Sequence, residues 1–359
     1  MQKRLLLREG LELLILSAAA CALLFFPETA SAAVVRGLRQ CGAAILPSLF
    51  PFFICANLIT ELSLTRIPAR LLGRLMRPVF HLGGAGSAAL VLGLVGGYPA
   101  GAQAVAQLYE SGSISQEEAG RLLLFCNNAG PAFVTGVCGV CVLGSAKAGL
   151  LLYAVHVFCA LLTGVLLRGP LPDAAPPAAH MSPEKAPGFA AAFITSVKRA
   201  GTTALQVCMF VVAFSVLSAF LLCLLPESLP PEVRALLVGM LELSNGVLLL
   251  DGCRAAFPIA AFLLGFSGLS VCAQAQSLLA PAGLGLGQYL PAKLLHGTLS
   301  ALLALLLSAL HLLPEAAAAG AFPALLPLLP LILPGWLLLG IICLRFRKLS
   351  SGNSAQKRV

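Results

Sequence analysis

Long apolar stretches without charged residues, separated by short charged segments, dominate the sequence. A helix needs about 20 apolar residues to cross a bilayer. Eight stretches approach or exceed that length, at 10–27, 42–60, 122–146, 149–167, 202–226, 255–292, 294–314 and 320–344, and the first of them contains one charged residue, Glu12. The pattern predicts an all-α polytopic membrane protein with about eight spanning helices.

Two further apolar segments are predicted to enter and leave the membrane on the same side. Segment 82–109 has the sequence Gly-Gly-Tyr-Pro-Ala-Gly in its middle, which breaks a helix and leaves two arms of about 18 Å, half a bilayer. Segment 234–251 is interrupted by Glu242 and by the turn-forming pair Asn245-Gly246. A carboxylate at the centre of a spanning helix costs about 2.5–3.5 kcal/mol. We predict two re-entrant helical hairpins; the alternative for the second is a surface helix or loop that places Glu242 among lipid headgroups.

Two of the spans are predicted to be broken. The first contains Asn-Asn-Ala-Gly-Pro at 127–131, and the second contains Gly-Phe-Ser-Gly-Leu-Ser at 265–270. Ser115 and Glu118 have the spacing of a capping box, which marks the start of a helix. Pro131 suits the first turn of a helix that restarts. Unwound backbone at membrane depth requires cover by protein or by a water-filled cavity.

The order of these elements repeats, with opposite orientation, in two halves of the chain. The first half contains a span at 43–63, a hairpin at 82–109, a broken span at 116–143 and a span at 149–168. The second contains the same elements at 203–225, 234–251, 254–280 and 290–312, and His156 and His296 lie 140 residues apart in corresponding spans. We predict an inverted repeat. The expected organisation is a first transmembrane helix and loop (1–41), repeat 1 (42–168), a Pro-rich cytoplasmic linker (169–202), repeat 2 (203–312), and a last transmembrane helix with a basic tail (313–359).

Composition and charge exclude most other classes of protein. Apolar residues make up 59% of the chain and charged residues 10%, and the mean hydropathy is +0.95. A soluble enzyme, a nucleic-acid binder and a disordered chain do not fit these values. With both termini in the cytoplasm, 18 of the 23 Lys and Arg residues fall on the cytoplasmic side. The N-terminus also resembles a cleavable secretory signal ending at 30–32; we expect an uncleaved helix, and either choice gives the same topology.

Inverted repeats with broken helices place a solute site near the middle of the membrane. Restarted helices present free backbone N–H groups, which suit a carboxylate or another polar solute without any intramembrane Lys or Arg. Helix carbonyl ends, with Glu242, Asn127 and Asn128, suit a cation; Glu242 itself fits a proton carrier, a Na⁺ ligand or a donor-binding residue. The candidate substrate-binding residues are Gly97, Tyr98, Pro99, Gly101, Asn127, Asn128, Glu242, Ser244, Asn245, Gly246, Ser267, Gly268, Ser270 and Gln274. The structural alternatives are turn formation for the glycines and Pro99, backbone capping for the asparagines and helix packing for Gln274.

The sequence contains no motif for catalysis or for phosphate binding. Gly-x-Ser-x-Gly, His-Glu-x-x-His and Gly-Lys-Ser/Thr are all absent. We therefore expect no enzyme activity, no metal site and no cofactor. Transport is expected to be passive or secondary, with Na⁺ or proton coupling as the alternatives.

Several of these segments resemble the sporulation integral membrane protein family of the YlbJ type. The resemblance is carried by the sequences at 97–102, 112–121 and 125–131, with support from 242–246 and 266–270. It implies a Gate domain, also called the nucleoside-recognition domain, and a fold similar to that of concentrative nucleoside transporters. It also implies solute transfer during endospore formation, with dipicolinate as the cargo. Ala129 and Gly130 stand where members of the family often have Ser-Ser or Ser-Pro, which removes hydroxyl groups from this part of the chain and leaves the cargo open.

Three functional hypotheses follow for a protein of a bacterial plasma membrane or forespore membrane. The first is a transporter or facilitator for a small polar, anionic solute, and the second is a carrier of nucleosides or other neutral solutes. The third is a scaffold that transports nothing. The expected partners are a small-molecule solute and the lipid bilayer, without nucleic acid, and a homo-oligomer is compatible with the implied fold.

Overall fold

A computed structural model of the chain describes residues 2–62, 64, 66–170 and 187–314, and every regular element in these ranges is a helix. The elements of the first part are α1 (Gln2–Phe25), α2 (Pro27–Gln40), α3 (Leu46–Glu61), α4 (Arg66–Leu75), α5 (Gly86–Gly96), α6 (Ala100–Glu110), α7 (Gln116–Cys126) and α8 (Ala146–Leu166). Those of the second part are α9 (Phe189–Leu224), α10 (Pro231–Leu241), α11 (Leu243–Leu248), α12 (Ala256–Phe266), α13 (Gly268–Leu279) and α14 (Tyr289–Ala309). π-Helical segments occupy Cys41–Ile45, Met76–Phe80 and Phe133–Val142.

Four helical segments are long and apolar enough to cross a bilayer. They are Ala146–Leu166, Phe189–Leu224, Ala256–Ala282 and Tyr289–Ala309. Glu9–Phe25 and Pro27–Ala43, bent by 95° at their junction, make a fifth if they are one span. The all-helical prediction is confirmed for the described residues. The count of eight spans stays a prediction, and the span expected at 320–344 lies outside the described residues.

Many large apolar side chains point away from the helical bundle. Leu24 on α1 is 78% exposed and Leu224 on α9 is 82% exposed, and exposed apolar side chains recur along α1 from Leu11 to Phe25. A soluble monomer rarely exposes apolar surface on this scale. The chain is therefore an integral membrane protein whose outward faces contact lipid.

Two pairs of short helices fold back on themselves. In the first pair, α5 and α6 pack together and are joined by Gly97, Tyr98 and Pro99. In the second, α10 and α11 pack together with a single intervening residue, Glu242. The expected Asn245-Gly246 turn is wrong: both residues lie within α11, because Glu242 caps that helix at its start.

The two long apolar segments 116–143 and 254–280 are both interrupted. Helix α7 ends at Cys126, residues 127–130 are not helical, and a helix restarts at Pro131. Helices α12 and α13 are separated by Ser267, which has a φ of 74° and is followed by Gly268 with a φ of 81°. The predicted capping box is confirmed, since Ser115 and Glu118 cap the start of α7 reciprocally.

Helix α9 begins inside the segment predicted to be a linker. That segment was expected to run to residue 202, yet α9 starts at Phe189, directly after Pro187 and Gly188. The physical reason is that the prolines of the linker end at Pro187, and the following sequence favours a helix. The Pro-rich part, at 171–186, lies outside the described residues.

The hydrophobic cores of the two halves are interleaved. Tyr98 and Ala129, from the first half, are buried in a cluster formed mainly by α10, α11 and α12. Cys272 and Tyr289, from the second half, are buried in the cluster around α5, α6 and α7. Each half therefore completes the core of the other.

Candidate functional site

A lysine is fully buried inside the helical bundle. Lys293 lies on α14, and its side chain is 0% exposed. Its ammonium group donates a hydrogen bond to the main-chain oxygen of Asn127 and lies 3.5 Å from Oδ1 of Asn128. Among the described residues, no carboxylate forms an ion pair with it; the salt bridge they contain joins Arg199 and Glu61 at the surface.

Two tyrosine rings complete the surroundings of the ammonium group. The Nζ atom of Lys293 lies 5.4 Å from the ring centroid of Tyr98 and 5.4 Å from that of Tyr289. The Tyr98 hydroxyl donates to the main-chain oxygen of Leu264 at 2.7 Å, and the Tyr289 hydroxyl accepts from Nδ2 of Asn127 at 2.7 Å. Both rings are therefore held in place with their faces available for a cation–π contact.

Glycines bring the tip of the α5–α6 hairpin against the break after α7. A Cβ atom on Gly101 would lie 2.4 Å from the main-chain oxygen of Cys126, and one on Gly97 would lie 2.8 Å from the amide nitrogen of Gly130. Only residues without a side chain permit this approach. Pro99 precedes the first residue of α6 and follows Tyr98 through a cis peptide bond. The structure thus brings together the candidates Gly97, Tyr98, Pro99, Gly101, Asn127 and Asn128.

Two backbone amides at this junction are already occupied. The Ala102 amide donates to Oδ1 of Asn127 at 3.3 Å, and the Ala129 amide donates to Nε2 of His156 at 3.0 Å. These two amides are therefore not free to bind a solute, and the expectation that restarted helices present free N–H groups stays a prediction for the other amides. The expectation that the site holds no intramembrane Lys is wrong, since the local positive charge comes from Lys293.

Two histidines connect the spans α8 and α14. The rings of His156 and His296 are stacked with centroids 4.7 Å apart, and both side chains are fully buried. Nε2 of His296 donates to the main-chain oxygen of His156 at 3.0 Å. Because His156 accepts from Ala129, this pair links both spans to the break after α7.

Glu242 caps a helix in the second hairpin. Its Oε2 atom accepts from the amide of Asn245 at 2.7 Å, and the residue is 2% exposed. The side chain of Asn245 donates to the hydroxyl of Ser215 on α9 at 3.0 Å. Ser244 is buried beside them. Glu242 is thus placed by local hydrogen bonds.

The tip of the second hairpin lies against the second break. A Cβ atom on Gly268 would lie 3.0 Å from the main-chain oxygen of Gly239 and 3.2 Å from the amide nitrogen of Leu243. Gly246 packs on Gly239 in the facing arm. Ser267 and Ser270 are fully buried, and Gln274 donates to the Ser270 hydroxyl at 3.2 Å. The candidates therefore form two clusters, each made of one hairpin tip and one helix break, and α13 packs against both hairpins.

Lys293 and Tyr289 were missed by the sequence interpretation, which counted Lys293 among the cytoplasmic positive charges. A signal was present: Lys293 is the single Lys or Arg between Arg254 and Arg345, and it lies three residues before His296 on one helix face. Within the described ranges, no group of three His, Cys, Asp or Glu side chains is placed to hold a metal ion.

Comparison with known proteins identifies one informative relative. The chain is 30% identical over 319 residues to "Sporulation integral membrane protein YlbJ" of Bacillus subtilis (strain 168), and the match covers 78% of each protein. No protein-family model matches the chain, and no solved structure matches it significantly.

Proposed function

The chain belongs to the YlbJ family of sporulation integral membrane proteins, and from this premise we propose that it is a secondary transporter or facilitator for a small polar anion. One observation carries the proposal. A lysine is fully buried among neutral groups, between elements of both halves of the chain. Ionisable groups inside membrane bundles are costly and typically mark the path of a solute or an ion.

The charge of Lys293 favours an anionic cargo over a neutral one. Its neighbours are amide oxygens and aromatic rings, which leave the net positive charge in place. A fixed charge in a site of low dielectric constant attracts an opposite charge far more strongly than it does in water. A carboxylate that enters between the hairpin tips is stabilised by this charge, whereas a nucleoside gains much less.

The succession of elements supports an inverted repeat with alternating access. Helices α5 and α10 have 11 residues each, α7 and α12 have 11 each, and α8 and α14 have 21 each. In each half of the chain, these helices follow the same order: a hairpin comes first, a broken helix second and a span third. In such repeats, rocking of one half against the other exposes a central site to the two sides in turn. The hairpins are re-entrant in this proposal, and both termini are cytoplasmic.

Membership of the YlbJ family supports a role for this transport in sporulation, and we propose that it takes place at the plasma membrane or the forespore membrane. The cargo that fits the proposed site and the family is dipicolinate, a small aromatic dianion. Its two carboxylates match a site with a fixed positive charge, and its ring matches the tyrosine faces beside Lys293. A Gate-like arrangement of hairpins and broken helices is part of this proposal.

The proposal is tested by uptake of labelled dipicolinate into proteoliposomes. Wild-type protein is expected to accumulate dipicolinate and not uridine. Lys293→Met, which keeps all but the last atom of the side chain's length and removes its charge, is expected to reduce the uptake rate at least 10-fold, as loss of about 1.4 kcal/mol of interaction requires. Lys147→Ala, an exposed lysine on α8, is the matched control and is expected to retain the wild-type rate.

The other outcomes separate the alternatives. Preferred uptake of uridine indicates a nucleoside carrier. Absence of flux for both solutes, with Lys293→Met supporting sporulation normally in cells, indicates a scaffold. Glu242→Gln is compared with wild type, each with and without a Na⁺ or proton gradient. If the two proteins take up dipicolinate at equal rates under every condition, Glu242 has no part in the transport mechanism.

A further inference from the structure

The ligands of the Lys293 ammonium group are those of a monovalent cation site. They are the main-chain oxygen of Asn127, Oδ1 of Asn128 and the faces of two tyrosine rings. Carbonyl and amide oxygens bind cations through the negative end of their dipoles, and aromatic faces do so through their quadrupole. None of these groups carries a charge, and none is a donor toward the ammonium group.

The position of this site in the fold adds a further contribution. Helix α7 ends at Cys126, and Asn127 is its C-terminal cap. The end of a helix has unpaired carbonyl groups and about half a negative charge. One of these carbonyl groups, that of Phe125, is satisfied by Nδ2 of Asn128 at 2.7 Å. The main-chain oxygen of Asn127, which follows, is satisfied by Lys293. A cation at the break after α7 therefore interacts favourably with both the Asn127 carbonyl group and the negative end of the helix.

The cation that occupies the site is covalently attached to the protein. Lys293 belongs to α14, which packs against α7, α8 and α12. The ammonium group is fully buried and, among the described residues, has no acidic partner that explains its burial. Burial of an uncompensated charge costs several kcal/mol, so the oxygens and rings around it must supply the compensation.

We propose that Lys293 is a tethered cation: its ammonium group fills a monovalent cation site at the end of α7 and makes a free ion unnecessary at that position. The site holds the break after α7 together and keeps the ammonium group beside the hairpin tip. The consequence of this site for transport rests on the proposed function. Because Lys293 fills the site, free Na⁺ cannot bind at this position and act there as a coupling ion. The existence of the site does not depend on any cargo.

The test empties the site and offers a replacement ion. Lys293→Ala removes every side-chain heavy atom beyond Cβ, and propylammonium contains the same set of atoms. 1-Propanol has nearly the same size and no charge. The melting temperature of the purified protein in detergent is measured with propylammonium chloride, with 1-propanol, and with choline chloride at equal ionic strength.

Propylammonium is expected to raise the melting temperature of Lys293→Ala by about 3 °C or more over choline, as ligand binding to the folded state requires. 1-Propanol is expected to give no such rise. In three proteins, a side chain at position 293 still occupies the site: wild type, Lys147→Ala and Lys293→Met. The melting temperature of each is expected to be the same in propylammonium as in choline. A response of Lys293→Ala equal to that of these three proteins, or an equal rise with 1-propanol, overturns the proposal.

The outcome remains decisive if Lys293→Ala does not fold on its own. Expression and purification in propylammonium is then expected to yield folded protein, because the ion restores the missing group. Failure to fold in propylammonium, while Lys293→Met folds, contradicts the proposal. None of these measurements involves a transported solute, so they are independent of the dipicolinate experiment.

Discussion

At the scale of single residues, close backbone contacts at glycine fix the geometry of the hairpins and breaks. The clearest example joins α10 and α11, where a Cβ atom on Gly246 would lie 2.1 Å from Cα of Gly239. A backbone atom cannot move aside as the end of a flexible side chain can. The short second arm of this hairpin is therefore held against the first by the absence of a side chain.

Gly246→Ala is expected to lower the melting temperature in detergent by about 2–10 °C, because overpacking of this kind costs about 1–3 kcal/mol. The matched control is Gly120→Ala on α7, where a Cβ atom meets nothing within 4 Å. This control is expected to be neutral or slightly stabilising, since Ala favours a helix over Gly by up to about 1 kcal/mol. Equal melting temperatures for the two variants contradict the described packing of α10 and α11.

At the scale of elements, one carboxylate connects the start of α7 to the segment before α5. Oε2 of Glu118 accepts from the amide of Ser115 at 3.0 Å, and Oε1 accepts from the amide of Gly83 at 2.9 Å. The residue is 4% exposed. The capping box therefore also anchors the base of the first hairpin.

Glu118→Ala is expected to destabilise the protein by about 1–3 kcal/mol, because two backbone amides lose their acceptor. Glu117→Ala, at the adjacent and exposed position, is expected to change stability by less than about 0.5 kcal/mol. Thermal unfolding in detergent measures both. Similar losses in the two variants indicate a general effect of charge at the start of α7.

Local signals in the sequence predicted the interruptions and three of the side chains beside them, and failed to predict Lys293 and Tyr289. Gly97, Pro99 and Pro131 act through backbone geometry, which each residue imposes on its own neighbourhood, so the breaks near them were predictable. The burial of Lys293 depends on groups more than 160 residues away along the chain, including the main-chain oxygen of Asn127. A pattern of apolar residues contains no information on such pairings, and the rule that Lys faces the cytoplasm pointed the other way.

At the scale of the whole molecule, the two hairpins and their helix breaks are arranged in the same order in both halves. Exposed residues follow each hairpin: Ser111 comes after α6, and Arg254 lies between α11 and α12. An inverted repeat requires these two positions to lie on opposite sides of the membrane.

Cysteines introduced at Ser111 and Arg254 in a cysteine-free variant test this arrangement. A membrane-impermeant maleimide added to intact cells is expected to label Arg254→Cys and to leave Ser111→Cys unlabelled until the membrane is permeabilised. Labelling of both positions from the same side excludes an inverted repeat. A control cysteine at Lys147, also exposed and expected outside, reports that the reagent reaches the protein.

The stacked histidines have a mechanical consequence. His156 and His296 occupy corresponding helices, and their rings touch where α8 and α14 meet. When two similar bodies rock about an axis between them, points near the axis travel least and points far from it travel most. In the proposed rocking motion, we expect these stacked rings to slide and rotate on one another, so that the contact between α8 and α14 persists while the outer parts of the molecule move.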